Sequence, residues 1–322
     1  MRLKLVPAET KFDFFRLGWF WLGLSILLVI GSIGFYGVRG LNYGIDFLGG
    51  TTIRTESAQT VDVGEYRAAL SALNLGDVLI SEVYDPSFGS DRNVAMVRIQ
   101  SQDATAAVTP QLIAEVEAAL KEVAPDIRFV SVESVGPKVS GELIRTAILA
   151  VAGALGAILI YVWFRFEWQF GVGAVLALLH DVILTIGIFS VLQMKFDQTT
   201  IAALLTIVGY SINDTVVIFD RVRENARKYK KKPLRDLLNL SINETLARTV
   251  MTAFTTLLAL FALFFLGGDV IRGFVFAMIW GVVVGTYSSV FVASAVVLRL
   301  GLKRDWTTPN KPSGNKFADI DA

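Results

Sequence analysis

The chain has 322 residues, of which 53% are hydrophobic and 18% are charged, with a formal net charge of +1 and a mean hydropathy of +0.56. It contains no cysteine and a single histidine, which excludes disulfides, thiolate metal sites and histidine-based zinc motifs. No G-x-x-x-x-G-K-[ST] sequence occurs, so a P-loop ATPase is not expected within this chain. The high apolar content instead predicts a membrane protein.

Six apolar segments are long enough to cross a bilayer, which takes about 20 residues each. We predict transmembrane helices over residues 17–38, 143–164, 170–194, 200–219, 249–266 and 274–298. The first follows a short N-terminal segment, 1–16. Its apolar run is long for a signal peptide and no A-x-A-like site follows it, so we interpret it as an uncleaved anchor.

The polar stretch 39–140 predicts one small α+β domain between the first and second transmembrane helices. Strands are expected over 51–55, 78–84, 93–100 and 127–135, and helices over 63–73 and 110–123, with a turn at 85–92. Asp62 is the expected N-cap of the first helix. The order β-α-β-β-α-β is typical of a ferredoxin-like domain. It carries no catalytic constellation, so we expect it to contact a partner or a passing chain.

The distribution of Lys and Arg predicts the orientation. Basic residues concentrate in segment 1–16, in an expected loop over 221–248 within the helical region 141–300, and in the tail 301–322. The opposite side has only Lys195 and Arg272 in its short loops. Both termini and the basic loop are therefore expected in the cytoplasm, with domain 39–140 outside. The basic run is also expected to attract anionic membrane lipid.

Asp214 is the most informative residue, because it lies inside the fourth apolar segment. A carboxylate in hydrocarbon is costly, so an intramembrane acid is a functional hypothesis by default. Helical spacing places further polar residues beside it, namely Thr206, Tyr210, Ser211 and Asn213. This polar stripe predicts contact with another helix or a water-filled cavity.

Arg248 lies near the start of the fifth segment, where an antiparallel hairpin can bring it to a depth similar to that of Asp214. Thr252, Thr255 and Thr256 continue its helical face. Such a pair suits proton coupling, because the charge state of the acid depends on how the helices are arranged. The alternative is a structural ion pair that holds two helices together.

His180 and Asp181 form a second candidate site, near the middle of the third segment. They can act as a proton relay or gate on the same path. They can equally be a hydrogen-bonded core pair, and the sequence leaves both interpretations open.

Four segments carry a family resemblance: GIDFLGGTTI after the first apolar segment, LLHDV in the third, VGYSINDTVVIFDRVREN in the fourth and INETLARTVMTAFTTLLAL around the fifth. With these motifs the chain resembles the SecF family of protein-export membrane subunits over nearly its whole length. The resemblance implies that Asp214 and Arg248 are the essential transport residues. It also implies that His180 and Asp181 follow the family pattern, and that Asp46, Gly49 and Gly50 form a signature at the base of the domain.

The resemblance also implies the cellular role. SecF pairs with SecD into a transporter of the resistance-nodulation-division type in the bacterial inner membrane. The pair associates with the SecYEG channel, often with YajC, and uses the proton-motive force to assist translocation of unfolded preproteins after the motor SecA has pushed them. Protons are then the coupling ion, with no other cofactor, no enzyme activity and no nucleic-acid partner expected.

Three other interpretations stay open. A half-transporter of the same superfamily would export a small molecule or lipid. An intramembrane aspartyl protease would use Asp181 and Asp214 as facing acids, although the G-x-G-D motif of such enzymes is absent. A structural scaffold would tolerate a neutral residue at position 214.

Overall fold

A helical bundle and a small α/β unit make up the described chain. The computed structural model describes residues 10–58, 60, 62–73, 75–76, 78–83, 93–100 and 109–302. The expected turn at 85–92, residues 1–9 and the tail beyond residue 302 lie outside this part. In chain order the elements are α1 Gly18–Arg39, β1 Asn42–Tyr43, α2 Ile45–Leu48, β2 Gly50–Ser57, α3 Val63–Ser71, β3 Val78–Val83, β4 Asn93–Gln100, α4 Pro110–Val123, β5 Arg128–Val135, α5 Pro137–Arg165, α6 Trp168–Leu192, β6 Lys195–Phe196, α7 Gln198–Lys228, α8 Leu234–Leu266, α9 Asp269–Ser288, a π-helical turn Ser289–Ala293 and α10 Ser294–Leu300.

Six helical stretches in the described chain are long and apolar enough to cross a membrane, which confirms the predicted number. They are α1, α5, α6, α7, α8 and the continuous run α9–α10. The expected loop over 221–248 needs correction, because α7 continues to Lys228 and α8 already begins at Leu234. The reason is that Arg, Lys and Glu are good helix formers, so both helices extend past the apolar region; Pro233, which cannot lie inside a helix without cost, is the N-cap of α8.

Helices α6, α7 and α9–α10 form the centre of the bundle, with α1, α5 and α8 around them. Two apolar clusters fill this centre. One lies toward the end where Arg165 and Lys228 sit, which we call the basic end, and includes Phe170, Phe219 and Leu237. The other lies toward the α/β unit, at what we call the domain end. Buried polar residues occupy the level between the clusters.

Close packing of α7 against α9 depends on two glycines. A Cβ added to Gly281 would overlap the side chain of Ile207, and one added to Gly285 would lie 3.0 Å from the Cβ of Ser211. Small residues at this four-residue spacing let two helices approach closely in a membrane. By contrast, Gly153 on α5 faces open space within the described chain.

The α/β unit has the predicted element order. Its four strands form an antiparallel sheet in the order β3-β4-β2-β5, so β4 lies between β2 and β3. Helices α3 and α4 cover one face, where residues such as Ile53, Leu70 and Val116 form a separate core. Asp62 caps α3 by accepting hydrogen bonds from the backbone N–H groups of Gly64 and Glu65, as predicted.

The N-terminal residues 10–15 lie along α8 through two asparagines. Asn243 accepts a hydrogen bond from the N–H of Phe12 (2.9 Å) and donates to its carbonyl (2.8 Å). Asn239 accepts from the N–H of Phe14 and donates to the carboxylate of Asp13. The two amides replace the strand partner that this extended segment otherwise lacks.

Candidate functional site

Asp181 is at the centre of a buried hydrogen-bond network where α6, α7 and α9 meet. Its carboxylate is 0% exposed, and its Oδ2 accepts hydrogen bonds from the hydroxyls of Ser211 on α7 (2.6 Å) and Ser288 on α9 (2.9 Å). Thr185 donates to the backbone carbonyl of Asp181. A buried carboxylate needs such donors, because it otherwise carries the full cost of desolvation. One acid therefore links three helices at the middle of the bundle.

The network continues one turn toward the basic end. The hydroxyls of Thr215 and Ser289 lie 2.8 Å apart, again joining α7 to the sixth span. Ser289 begins the π-helical turn, and Ser294 donates to the carbonyl of Ser289 across it. A π-helical turn inside an α-helix is frequent at functional sites, since it rotates the residues that follow.

His180 connects this network to α1. Its Nδ1 lies 3.0 Å from Oδ1 of Asp181, and its ring stacks on that of Tyr287 with centroids 6.0 Å apart. The Tyr287 hydroxyl donates to the carbonyl of Trp21 and contacts the hydroxyl of Ser25. The Nε2 of His180 is buried without a hydrogen-bond partner in the described chain. The histidine therefore has one nitrogen committed to Asp181 and one unused.

Asp214 lies one turn from Ser211 on α7, outside the network. Its side chain is 3% exposed, and its Oδ2 is buried without a hydrogen-bond partner among the described residues. The hydroxyl of Tyr210, one turn away on the same helix, is also buried and unpartnered. As an anion, a buried carboxylate without a donor carries the full cost of desolvation.

Arg248 is the cation nearest in register to Asp214, but the two do not form a direct ion pair. Two contacts set the antiparallel register of α7 and α8. Arg221 pairs with Glu244 at 2.7 Å, and Asn225 donates a hydrogen bond to Ser241 at 3.0 Å. This register places Arg248 about one turn, ~5 Å, nearer the basic end than Asp214. The two side chains interact through the electric field rather than through a hydrogen bond. The expected similar depth thus corresponds to an offset of about one turn between the two residues.

The side chain of Arg248 reaches a cavity of about 980 Å³ at the basic end. Arg165, Asp220 and Arg227 also line this cavity, and Arg165 pairs with Asp220 at 2.9 Å. The cavity is open and charged, so water can enter it. It supplies an aqueous route that ends close to Arg248.

The predicted polar face of α7 does not stay together in the structure. Ser211 and Asp214 turn inward, whereas Thr206 and Asn213 are exposed on the surface of the described chain. On α8, the hydroxyls of Thr252 and Thr255 donate to carbonyls one turn back along their own helix, and Thr256 is half-buried. The hydroxyls of Thr252 and Thr255 are therefore used within their own helix and are not free to bind Asp214.

The segment that contains Asp46, Gly49 and Gly50 joins the α/β unit to the bundle. Gly49 and Gly50 have φ angles of 74° and 122°, which only glycine adopts without strain, and they turn the chain from α2 into β2. The carboxylate of Asp46 accepts a hydrogen bond from the N–H of Gln198 (2.9 Å). Because Gln198 is the first residue of α7, the base of the domain is attached to the helix that carries Asp214.

A second contact strengthens this junction. Strand β1 pairs in parallel with β6, immediately before α7. Arg98 of the sheet donates to Oδ1 of Asn42 and to the carbonyl of Tyr43 in β1. Burial lowers the pKa of Arg98, an effect opposed by the negative charges of Asp197 and Asp46.

The sixth span contributes polar residues to the network that were not predicted from the sequence. Tyr287, Ser288 and Ser289 all take part in the network, and they form a run of consecutive polar residues, 286–289, inside an apolar helix. That run was the available signal. Among the described residues, no three His, Asp or Glu side chains converge as metal ligands would. The titratable and hydrogen-bonding groups at the site are carboxylates, hydroxyls and one imidazole.

Comparison with known proteins gives consistent matches. Residues 115–303 match the family described as "Protein export membrane protein SecD/SecF, C-terminal", and residues 37–61 match the "SecD/SecF GG Motif". The chain is 60% identical over 321 residues to the protein translocase subunit SecF of Cereibacter sphaeroides, covering 100% of this chain and 99% of that protein. It is 40% identical over 296 residues to SecF of Rickettsia akari, covering 92% and 94%.

Two solved structures are also similar. The crystal structure of SecDF from Thermus thermophilus, a translocon-associated membrane protein, superposes with a TM-score of 0.82 at 38% identity over 93% of this chain. SecDF in a super-membrane-facing form gives a TM-score of 0.68 at 39% identity. The chain spans 40% of the length of each of these SecDF chains.

Proposed function

Because this chain belongs to the SecF family of protein translocase subunits, we propose that it works with a SecD partner as a proton-driven machine that assists protein export. The observation that carries this proposal is Asp214, whose buried Oδ2 has no hydrogen-bond donor in the described chain. A charge of this kind is maintained in a membrane only for a function or a partner. The alternative of a structural ion pair with Arg248 loses support, since the two side chains make no direct contact.

A cycle follows from the geometry. When a proton neutralises Asp214, its attraction for Arg248 disappears, and Arg248 is then free of that attraction in the cavity at the basic end that its side chain already reaches. Loss of the proton toward that cavity restores the attraction. A transmembrane potential supplies about 2.3 kcal/mol per charge for each 100 mV, which is comparable to the cost of rearranging buried hydrogen bonds. His180 and Asp181 hold the neighbouring helices in register during this change or relay the proton.

The junction at Asp46 explains how the membrane cycle would move the domain. Asp214 lies about 24 Å along α7 from Gln198, at 1.5 Å per residue. A tilt or rotation of α7 is passed to the Asp46 carboxylate, to the two glycines and then to β2.

The proposal includes an orientation and a set of partners. Basic residues at one end of the bundle support an orientation with that end and both termini in the cytoplasm of a bacterium and residues 39–140 in the periplasm. The sheet order β3-β4-β2-β5 supports a ferredoxin-like fold for that domain. The family resemblance adds the SecYEG channel, YajC, SecA acting upstream, and the unfolded preprotein. Protons are the coupling ion, and the chain acts without enzyme chemistry.

The remaining alternatives have less support from the geometry. A protease would need Asp181 and Asp214 to share a substrate, but the Asp181 carboxylate already contacts His180, Ser211 and Ser288. No hydrogen bond joins the two acids within the described chain. A half-transporter for a small molecule or lipid would have the same proton site. Only the identity of the exported substrate therefore distinguishes it from a protein-export subunit.

The decisive experiment is pulse-chase export of a secreted protein in cells that carry Asp214→Asn. We expect export to fall while SecD still co-purifies. Asp236→Asn is the matched control, because Asp236 is an exposed acid in the first turn of α8 at the basic end and does not border the cavity. Export should be close to normal in that control. Normal export with Asp214→Asn, in the absence of any other SecF copy, would refute proton coupling at this residue.

A further inference from the structure

An apolar groove opens at the domain end of the bundle, between α1, α5 and α6. It has a volume of about 670 Å³. Ala147 and Ala152 of α5 form one wall, and Val182 and Ile186 of α6 form the other. The small alanine side chains leave the space that larger residues would fill. Almost none of α5 is buried in the described chain, so the groove is open to the surroundings of the bundle.

The length of the groove matches one leaflet of a bilayer. Its α5 wall extends from Ile144 to Leu155, a rise of about 16 Å at 1.5 Å per residue. The hydrocarbon core of a bilayer is about 30 Å thick, so each leaflet contributes roughly half of that. The groove therefore runs from the membrane surface to near the midplane, which is the depth reached by one lipid tail.

Polar groups stand at the outer end of this groove. The hydroxyls of Tyr36 and Tyr43 lie 3.5 Å apart there. Burial, with a smaller contribution from Tyr36, raises the pKa of Tyr43 to about 12, so its hydroxyl stays protonated and can donate a hydrogen bond. Arg39, the exposed last residue of α1, holds its guanidinium near the carbonyl of Val191 (3.3 Å). Arg39 follows Tyr36 by three residues on α1, so the two side chains are neighbours on the helix surface. A cation and aromatic hydroxyls at the same end of a membrane helix suit a phosphate group.

We propose that this groove binds one acyl chain of a phospholipid from the leaflet on the domain side, with Arg39 and the two tyrosines receiving the headgroup phosphate. The tail would contact Phe47 and Leu48 of α2, which also border the groove. These residues immediately precede Gly49 and the first strand of the domain. The bound lipid would thus support the segment on which the domain turns.

The test is native mass spectrometry of the chain purified from membranes together with the partners that accompany it. We expect a phospholipid adduct that survives detergent exchange. Ala147→Phe fills the groove and should weaken retention by about tenfold, the loss expected when two methylenes of the tail no longer fit. The matched control is Leu149→Phe, because Leu149 lies two residues along α5, is exposed and does not border the groove. Equal retention in both variants would overturn the proposal.

A second measurement identifies the occupant even if Ala147→Phe fails to assemble. The chain has no cysteine, so Ala152→Cys can carry a photoactivatable label at a single site. Cross-linking in membranes should give an adduct with the mass of a phospholipid. A cross-link to a protein chain instead would show that a helix of a partner covers the groove, and the lipid site would be rejected. Arg39→Gln should reduce retention of the lipid without changing where the label reacts.

Discussion

Gly281→Ala should destabilise the protein although alanine is the better helix former. The added methyl group would overlap the side chain of Ile207 on α7. Ile207 is almost fully buried among other side chains of the domain-end cluster, so it cannot simply turn away. The two helices must separate, and this strains the Ser211 contact at Gly285, one turn along the same interface.

The magnitude follows from two opposing effects. Replacing Gly by Ala within a helix gains about 1 kcal/mol of helix propensity. Forcing an extra methyl into a packed interface costs about 1–3 kcal/mol. Gly153→Ala is the matched control, because Gly153 lies within a membrane helix but has open space around its Cα. Since both variants gain similar propensity, the difference between them should be the packing cost, about 1–3 kcal/mol.

The assay is unfolding by sodium dodecyl sulfate in mixed micelles, followed by tryptophan fluorescence. Adding Ile207→Ala to Gly281→Ala restores room at the contact, so the double variant should be more stable than the sum of the two single changes predicts. If Gly281→Ala is as stable as Gly153→Ala, the close approach of α7 and α9 at this level is refuted. Additive effects in the double variant would point to the same conclusion.

Three further predictions concern the polar contacts. Ser288→Ala removes one of the two hydroxyls that donate to Oδ2 of Asp181, so unfolding should be easier by about 1–3 kcal/mol, whereas a structure without this bond would show no change. Asn243→Ala removes both hydrogen bonds to the backbone of Phe12, and hydrogen exchange should become faster in residues 10–15 but not in α6. The hydrogen bond from Asn239, together with the charge of Arg235, lowers the pKa of Asp13. The Asp13 carboxylate therefore stabilises the docked segment fully above the ordinary Asp pKa of about 3.9. This stabilisation is lost as the pH falls through the lowered pKa of Asp13. Exchange protection of residues 10–15 measured across this range, relative to α6, should fall with acid, and constant relative protection would contradict the assignment.

The sequence by itself determined the number of membrane helices and the order of elements in the domain. Hydrocarbon leaves no partner for backbone N–H and C=O groups, so a long apolar segment must be a helix wherever it packs. The local sequence was equally informative at Asp62. An N-cap depends only on a side chain and the first turn of the helix that follows it. The length of α7 was underestimated, because apolar content reports where the membrane ends and not where the helix ends.

Tertiary structure decided which polar side chains meet. Helical spacing predicts that Ser211 and Asn213 lie near Asp214, but the rotation of α7 against its neighbours turns Ser211 inward to Asp181 and leaves Asn213 exposed. The third member of that contact, Ser288, lies more than a hundred residues from Asp181 in the chain. Hydrophobic periodicity and helix propensity are properties of a single helix. A hydrogen bond between two spans depends on the rotation, depth and separation of both helices. That is why the acid was visible in the sequence and its donors were visible only in the fold.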